Sequence, residues 1–360
     1  MSESARYYVG FNRVRGIGPA RLRMLLDVFG DAERAWHAPA EALARAGLDR
    51  RSLENLLETR AHLDLDREMR RIAAVGAHVL TWEDGEYPKL LAEIPDPPPV
   101  LYVRGELKPE DAWAVAVVGT RRASAYGREV TRRLVTALVQ AGVTIVSGLA
   151  RGIDTVAHQT ALEAGGRTIA VLGCGIDLVY PPEHRDLARR IAAQGALVTE
   201  YPLGTQPEPG NFPPRNRIIS GLSLGVVVTE AGRDSGAIIT ADYAAEQGRD
   251  VFAVPGSILA AGCAGPNRLI QDGARPVLEP NDILRELNLT MVAQQAEARQ
   301  ALPATETEAL ILSHLSDEPV HVDDLTRAVG LPVAQVTSTL ALMELKGMVR
   351  QVGGMKYCKF

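Results

Sequence analysis

The chain has 360 residues, 46% of them hydrophobic, which suits two or three globular domains better than one. Its net charge of −5 excludes a protein coated in positive charge, so a polyanionic partner must be held by a local patch. Three widely spaced cysteines without a CxxC pair exclude a disulfide scaffold and a cysteine-rich zinc site, and no apolar run approaches the roughly 20 residues that span a bilayer. The expectation is a soluble, cytoplasmic protein with no metal and no cofactor.

Residues 1–80 are expected to form a helical domain of helix-hairpin-helix or SAM-like type, because Leu, Ala, Arg and Glu recur there at helical spacing. Within it, VRGIGPARLRMLL (residues 14–26) sets Gly16 and Gly18 around an apolar residue and places Pro19 where a helix begins. A glycine hairpin lets backbone amides approach a phosphate, and Arg13, Arg15, Arg21 and Arg23 surround this one. Arg13, Arg15, Gly16 and Gly18 thus make a second expected DNA contact. A packing turn in a protein-binding bundle fits so short a GxG equally well.

From Val79 to Leu107 prolines interrupt any helix, and this stretch is expected to add one or two edge elements to the next domain, residues 81–288. There, apolar stretches near residues 114–118, 143–146, 168–172, 197–199, 226–229 and 251–254 alternate with helical segments. Such a pattern defines an α/β domain with a doubly wound, Rossmann-like parallel sheet. Its ligands bind at the carboxyl edge, where every glycine-rich loop falls: GTRR, SGLARG, GCG, EAGRDSG and VPGS. A dinucleotide is not supported, since only Gly119 follows the first strand and Leu178 stands where the GCG loop needs its third glycine.

Residues 289–306 read as an Ala- and Gln-rich linker. Residues 307–360 give a helix, a short strand at 320–322, a helix at 323–329, a GLP turn, a helix at 333–345 and a hairpin about Gly353 and Gly354, which together make a winged helix. Its third helix carries no Arg or Lys before Lys346, and acidic residues outnumber basic ones in the domain. A protein contact is therefore expected of it in preference to major-groove reading.

Three loops of the central domain converge on anion binding. Residues 119–124 offer the Gly119 backbone, the Thr120 and Ser124 hydroxyls, and Arg121 and Arg122. Residues 147–154 offer Ser147, Gly148 and Arg151, with Asp154 as the expected helix cap. Residues 230–240 set Ser235 and Gly236 at a helix start, where unpaired amides and the helix dipole favour a phosphate. A fourth segment, FPPRNRIISGLS, begins a helix at Pro213 or Pro214 with Arg215, Asn216 and Arg217 in its first turn. Two arginines two apart cannot both face one groove, so one of them is structural. Phe212 beside them is either a core ring or a stacking platform for single-stranded bases. Together the loops favour a ligand with more than one phosphate.

The segments VGTRRASAYG, SGLARGIDTVAH, AVLGCGIDLVYPPEH, TEYPLG, FPPRNRIISGLS, VVVTEAGRDSGAIITADYAAEQGRDVFAVPG and GPNRLIQDGA closely resemble the DNA-processing protein A (DprA/Smf) family. The resemblance covers essentially the whole central domain, and the terminal domains suit long members. It implies a dimeric single-stranded-DNA-binding protein that loads the RecA recombinase during natural transformation and is not an enzyme. It also implies a DNA pocket of Gly119, Thr120, Arg121, Ser124, Ser147, Gly148, Phe212, Arg215, Asn216, Arg233, Ser235 and Gly236.

The rival class is a nucleotide-cleaving enzyme, since the sheet also looks like a distant relative of the phosphoribohydrolases, whose PGGxGTxxE loop presents a catalytic glutamate. Laid on SGAIIT, that glutamate falls at Thr240, whose hydroxyl cannot act as a general base near neutral pH. Glu230 is the remaining carboxylate at this edge, with no second one at a recognisable spacing. A thiol nucleophile at Cys174 with His184 lacks any group to orient the base, and His158 reads as a surface or core histidine.

Overall fold

The computed structural model describes residues 4–289, 305–316, 319–345 and 348–359. They form two compact units, Met1–Asn288 and Leu289–Phe360. Nearly all of the expected linker lies outside the described residues.

The first unit is built on a nine-stranded sheet: β1 (Ala77–Thr81), β2 (Val100–Gly105), β3 (Ala114–Val118), β4 (Thr144–Ser147), β5 (Thr168–Val171), β6 (Ala196–Thr199), β7 (Gly225–Val228), β8 (Asp250–Ala253) and β9 (Arg275–Pro276). Their order is β1-β2-β6-β5-β4-β3-β7-β8-β9, with β1–β2 and β2–β6 antiparallel and the rest parallel. All six expected strands are present, each within one residue at either end. β3 is buried at all five positions, as a strand covered on both faces must be. The proline-rich stretch supplies β2, and Pro98 accepts a hydrogen bond from the Tyr87 hydroxyl (2.7 Å) that folds it back on itself.

Helices Ala5–Asn12 to Leu65–Ala74 precede the sheet. The expected boundary near residue 80 falls inside β1, which follows the last of these helices and pairs with β2 in five-residue register. One apolar core unites Tyr8, Phe11, Trp36 and Leu56 of the helices with Val79, Tyr102 and Leu197 of the sheet and Leu187 of the helix Arg185–Gln194. The Tyr102 hydroxyl donates to the Asn12 side chain (3.0 Å) across the same junction.

From β3 the chain winds outward through β4, β5 and β6, then returns to β7 on the other side of β3. Helices Ala125–Gln140 and Ile153–Glu163 pack together, as do Phe212–Gly221 and Gly236–Glu246, which is the two-faced arrangement that right-handed crossovers on either side of β3 produce. The loops after β3 and β7 therefore diverge and open a crevice at the carboxyl edge.

The second unit has a three-stranded antiparallel sheet, β10 (Val320–His321), β11 (Val349–Gln351) and β12 (Lys356–Lys359), ordered β10-β12-β11. Helices Glu306–Ser313, Val322–Val329 and Val333–Leu345 pack on it around Ile311, Leu325, Val336, Leu340 and Tyr357. This is the winged helix expected from the sequence. Its hairpin turns through Gly353 and Gly354 in the left-handed region (φ +91° and +57°). Val333 and Leu342 on its third helix are exposed. Among the described residues of the chain, no helix is long and apolar enough to cross a membrane.

Candidate nucleic-acid interface

The crevice between the β3 and β7 loops is an open cleft of about 750 Å³. One wall is cationic. It consists of Thr120, Arg121 and Arg122 after β3, and Gly232 to Gly236 after β7, where Arg233 and Ser235 flank the one acidic residue of this wall, Asp234. Arg121, Arg122 and Arg233 are exposed, and among the described residues none of them has a carboxylate at ion-pair distance. Their charges are left to a ligand. Ser235 caps the helix Gly236–Glu246 through the Ala237 amide, so that helix begins at the cleft.

The opposite wall is apolar: Tyr180, Pro207, Pro209, Phe212 and Pro213. Phe212 and Tyr180 pack with ring centroids 5.6 Å apart, and the guanidinium groups of Arg121 and Arg215 lie over the Phe212 ring at 5.7 and 5.8 Å. Phe212 is thus a partly exposed platform with a cation on its face.

The floor is charged and buried. Arg215, 4% exposed, donates to the carbonyls of Gly148 (3.0 Å) and Val171. Burial brings its pKa down to about 10, opposed by the Asp154 charge and reinforced by that of Arg121. Asp154 accepts from the amides of Gly148 (3.1 Å) and Ala150 (3.2 Å). Burial raises its pKa, against the pull of Arg215. Asp154 does not cap its own helix, contrary to the expectation. Gly152 occupies that position at φ +81°, where a side chain would collide with the Thr120 carbonyl, and Asp154 in the first turn braces the preceding loop instead. Asn216 donates to the Gly236 carbonyl (3.1 Å), fixing one helix start against the other.

The cleft therefore gathers Gly119, Thr120, Arg121, Arg122, Phe212, Arg215, Asn216, Arg233, Ser235 and Gly236. The other expected residues lie elsewhere. Ser124 caps the helix Ala125–Gln140 by accepting from the Gly127 amide (3.0 Å). Ser147 is buried and donates to the Val117 carbonyl (2.7 Å). Gly148 lies beneath the cleft against Arg215, and Arg151 sits beside it, paired with Glu183 at 2.6 Å. Arg217 is the structural member of its pair: it turns away to bind both oxygens of Glu200 (2.6 and 2.7 Å). Burial weakens its charge, but Glu200 and Asp96 more than offset this, and its pKa stays above the ordinary value.

At the amino-terminal hairpin, Gly16 has φ +89° and Gly18 precedes a helix that starts at Pro19. Arg13 points inward to the Leu203 carbonyl (3.0 Å) and Glu68 (3.3 Å), whereas the Arg15 side chain is exposed. Arg21 binds the Gly16 carbonyl and Arg23 lies over Trp82 at 5.0 Å. Arg13 and Arg21 are paired with Glu68 and Asp49, whereas Arg15 and Arg23 are exposed with no carboxylate at ion-pair distance among the described residues.

Glu230 is committed to structure. Its carboxylate accepts from the Ser124 amide (2.9 Å) and its carbonyl from the Thr120 amide (2.6 Å). Thr240, on the cleft floor, donates to the Gly236 carbonyl (3.4 Å). Cys174 is buried, which pushes its thiol up to about 11. His184 donates from Nδ1 to the Leu149 carbonyl (2.9 Å) and its Nε2 meets the Thr155 hydroxyl (3.2 Å), so neither ring nitrogen is turned to Cys174.

A Rossmann-like sheet with an arginine-lined crevice at its switch point, together with a winged helix, defines a class of modular protein. The DNA recombination-mediator protein A profile matches residues 78–288, and a DprA winged helix domain profile matches residues 295–355. The Smf protein of Synechocystis is 38% identical over 99% of this chain and 98% of its own length. The chain belongs to the DprA/Smf family. The crystal structure of DNA processing protein A from Streptococcus pneumoniae superposes with a TM-score of 0.70 at 35% identity, covering 79% of this chain and 98% of that one. The Helicobacter pylori DNA processing protein A, whose structure was described for its single-stranded DNA binding mode, gives a TM-score of 0.53 at 31% identity, covering 58% and 95%.

Proposed function

We propose that this chain binds single-stranded DNA in the cleft between the β3 and β7 loops. In this reading it protects incoming strands and loads the RecA recombinase during natural transformation. It acts in the cytoplasm as a homodimer joined through the Rossmann-like unit, and it carries out no chemistry of its own. The observation that carries the reading is the pairing of two walls. Three exposed arginines free of carboxylate partners face an apolar wall of Phe212, Tyr180 and prolines. Phosphates suit the first wall and unstacked bases the second. The single-strand binding described for the Helicobacter pylori relative supports the assignment. The exposed Val333 and Leu342 on an arginine-free third helix support a protein contact through the winged helix.

The test is a titration of wild type and Arg121→Glu with oligothymidine, a duplex of the same length and free thymidine monophosphate. The single strand is expected to bind wild type in preference to the other two, with an affinity that falls steeply with salt. Arg121→Glu should bind it much more weakly. Equal binding by the variant, or turnover of the mononucleotide, refutes the reading.

A further inference from the structure

The apolar surface at the carboxyl edge does not stop at the cleft. Tyr126, in the first turn of the helix that follows Arg121 and Arg122, is 48% exposed, and its hydroxyl donates to the Pro255 carbonyl (3.0 Å). Pro255 opens the loop after β8, in which Ile258 and Leu259 are each 92% exposed. These are the two most exposed large hydrophobic side chains among the described residues. The loop is braced from several sides. Asn267 accepts from the Gly256 amide (3.1 Å) and donates to its carbonyl (3.0 Å). Within the turn, the Leu259 amide donates to the Ser257 hydroxyl (3.2 Å) and the Ala260 amide to the Ser257 carbonyl (3.1 Å). The Gly262 carbonyl accepts from Ala231 (2.7 Å), tying the far end to the β7 loop. Scattered exposed aliphatics need no explanation, but an adjacent pair fixed by such a frame presents a surface.

Its place in the fold indicates what lies on it. β8 is the next strand after β7, so its loop adjoins the cleft on the same edge. Tyr126 bridges the interval, five residues after Arg121 and bonded to the β8 loop. Residues Ser257 to Ala260 carry no charge, which suits the face of a base and not a phosphate. Resting on the single-strand reading above, we propose that a strand leaving the cleft past Arg121 and Arg122 runs over Tyr126. The bases that follow then lie on Ile258 and Leu259. Contacts of this kind tolerate any sequence, because every base has an apolar face.

The test uses the full chain with Tyr126→Ala, and separately with Ile258→Ser and Leu259→Ser combined, titrated with oligothymidines of about 5 and about 15 nucleotides. Each variant is expected to lose about tenfold in affinity for the longer strand and nothing for the shorter. Tyr126→Phe, which keeps the ring but not the bond to Pro255, should bind the longer strand as wild type does. Undiminished affinity of either variant for the longer strand overturns the proposal. So does an equal loss at both lengths, which marks damage to the cleft, or a Tyr126→Phe loss matching that of Tyr126→Ala, which marks a loosened loop. Arg121→Glu separates the two readings. If it binds both lengths like wild type, the cleft assignment fails regardless of the platform variants.

Discussion

Glu183→Gln should make the protein bind single strands more tightly. Arg151 lies beside Arg121, Tyr180 and Phe212, but its Nε is held 2.6 Å from a carboxylate oxygen of Glu183, and both side chains are half-exposed. A phosphate reaching Arg151 must displace Glu183. The glutamine removes that competing charge with little change of shape. Each phosphate neutralised on a single strand contributes about 0.7 to the slope of log affinity against log salt, so one newly freed arginine should steepen the slope by about 0.7. Between about 50 and 200 mM salt the variant should therefore lose about 2.6-fold more affinity than wild type, from a tighter starting point. Fluorescence anisotropy with a labelled oligothymidine across that range measures both quantities. An exposed ion pair contributes little to folding, so the melting temperature should not move. Parallel salt plots with equal intercepts would refute the view that Glu183 holds Arg151 away from the strand.

Arg217→Ala should leave a nearly buried Glu200 without its partner and destabilise the fold by about 3–5 kcal/mol, seen in denaturant unfolding, while single-strand affinity of the folded protein stays unchanged. Arg121→Ala should do the reverse, lowering affinity with no change in unfolding. Gly148→Ala would place a methyl 2.7 Å from a buried Arg215 nitrogen and 2.9 Å from Asp154, a crowding expected to cost about 1–3 kcal/mol in thermal or denaturant melts. His158 is buried, with its pKa lowered to about 3 by that burial, so the unfolded chain takes up its proton first as pH falls below the ordinary histidine value of 6.5. Stability should drop through the window from 6.5 towards 3 with a slope of up to about 1.4 kcal/mol per pH unit, and the slope should be correspondingly shallower in His158→Gln.

The sheet was legible because each parallel strand is a short, wholly apolar run, and the loops that must lie at its carboxyl edge carry the glycines. The cationic wall followed from the same logic, since Arg121, Arg122 and Arg233 sit in those loops. What escaped was set by partners distant in the chain. Arg151 meets Glu183 after 32 residues, Arg13 meets Leu203 after 190, and Glu230 reaches Ser124 across 106. No local charge pattern reveals such pairings. The aromatic wall was half seen: Phe212 was read from its neighbours, but Tyr180 was not. The signal available was a tyrosine beside two prolines in a loop ending on the same edge. Asp154 departs from the expectation that an acidic residue near a helix start caps it. Here the positive-φ turn at Gly152 took that position.

β1 has a mechanical consequence. It emerges from the amino-terminal helices and is stitched to the sheet by β2, with a shared core on either side of the seam. Those helices are thus a fixed handle, not a tethered arm. A macromolecule seized by them would be presented to whatever the rim holds at one set angle, like work clamped in a jig, and inserting a flexible hinge before Ala77 would abolish that alignment without touching either grip.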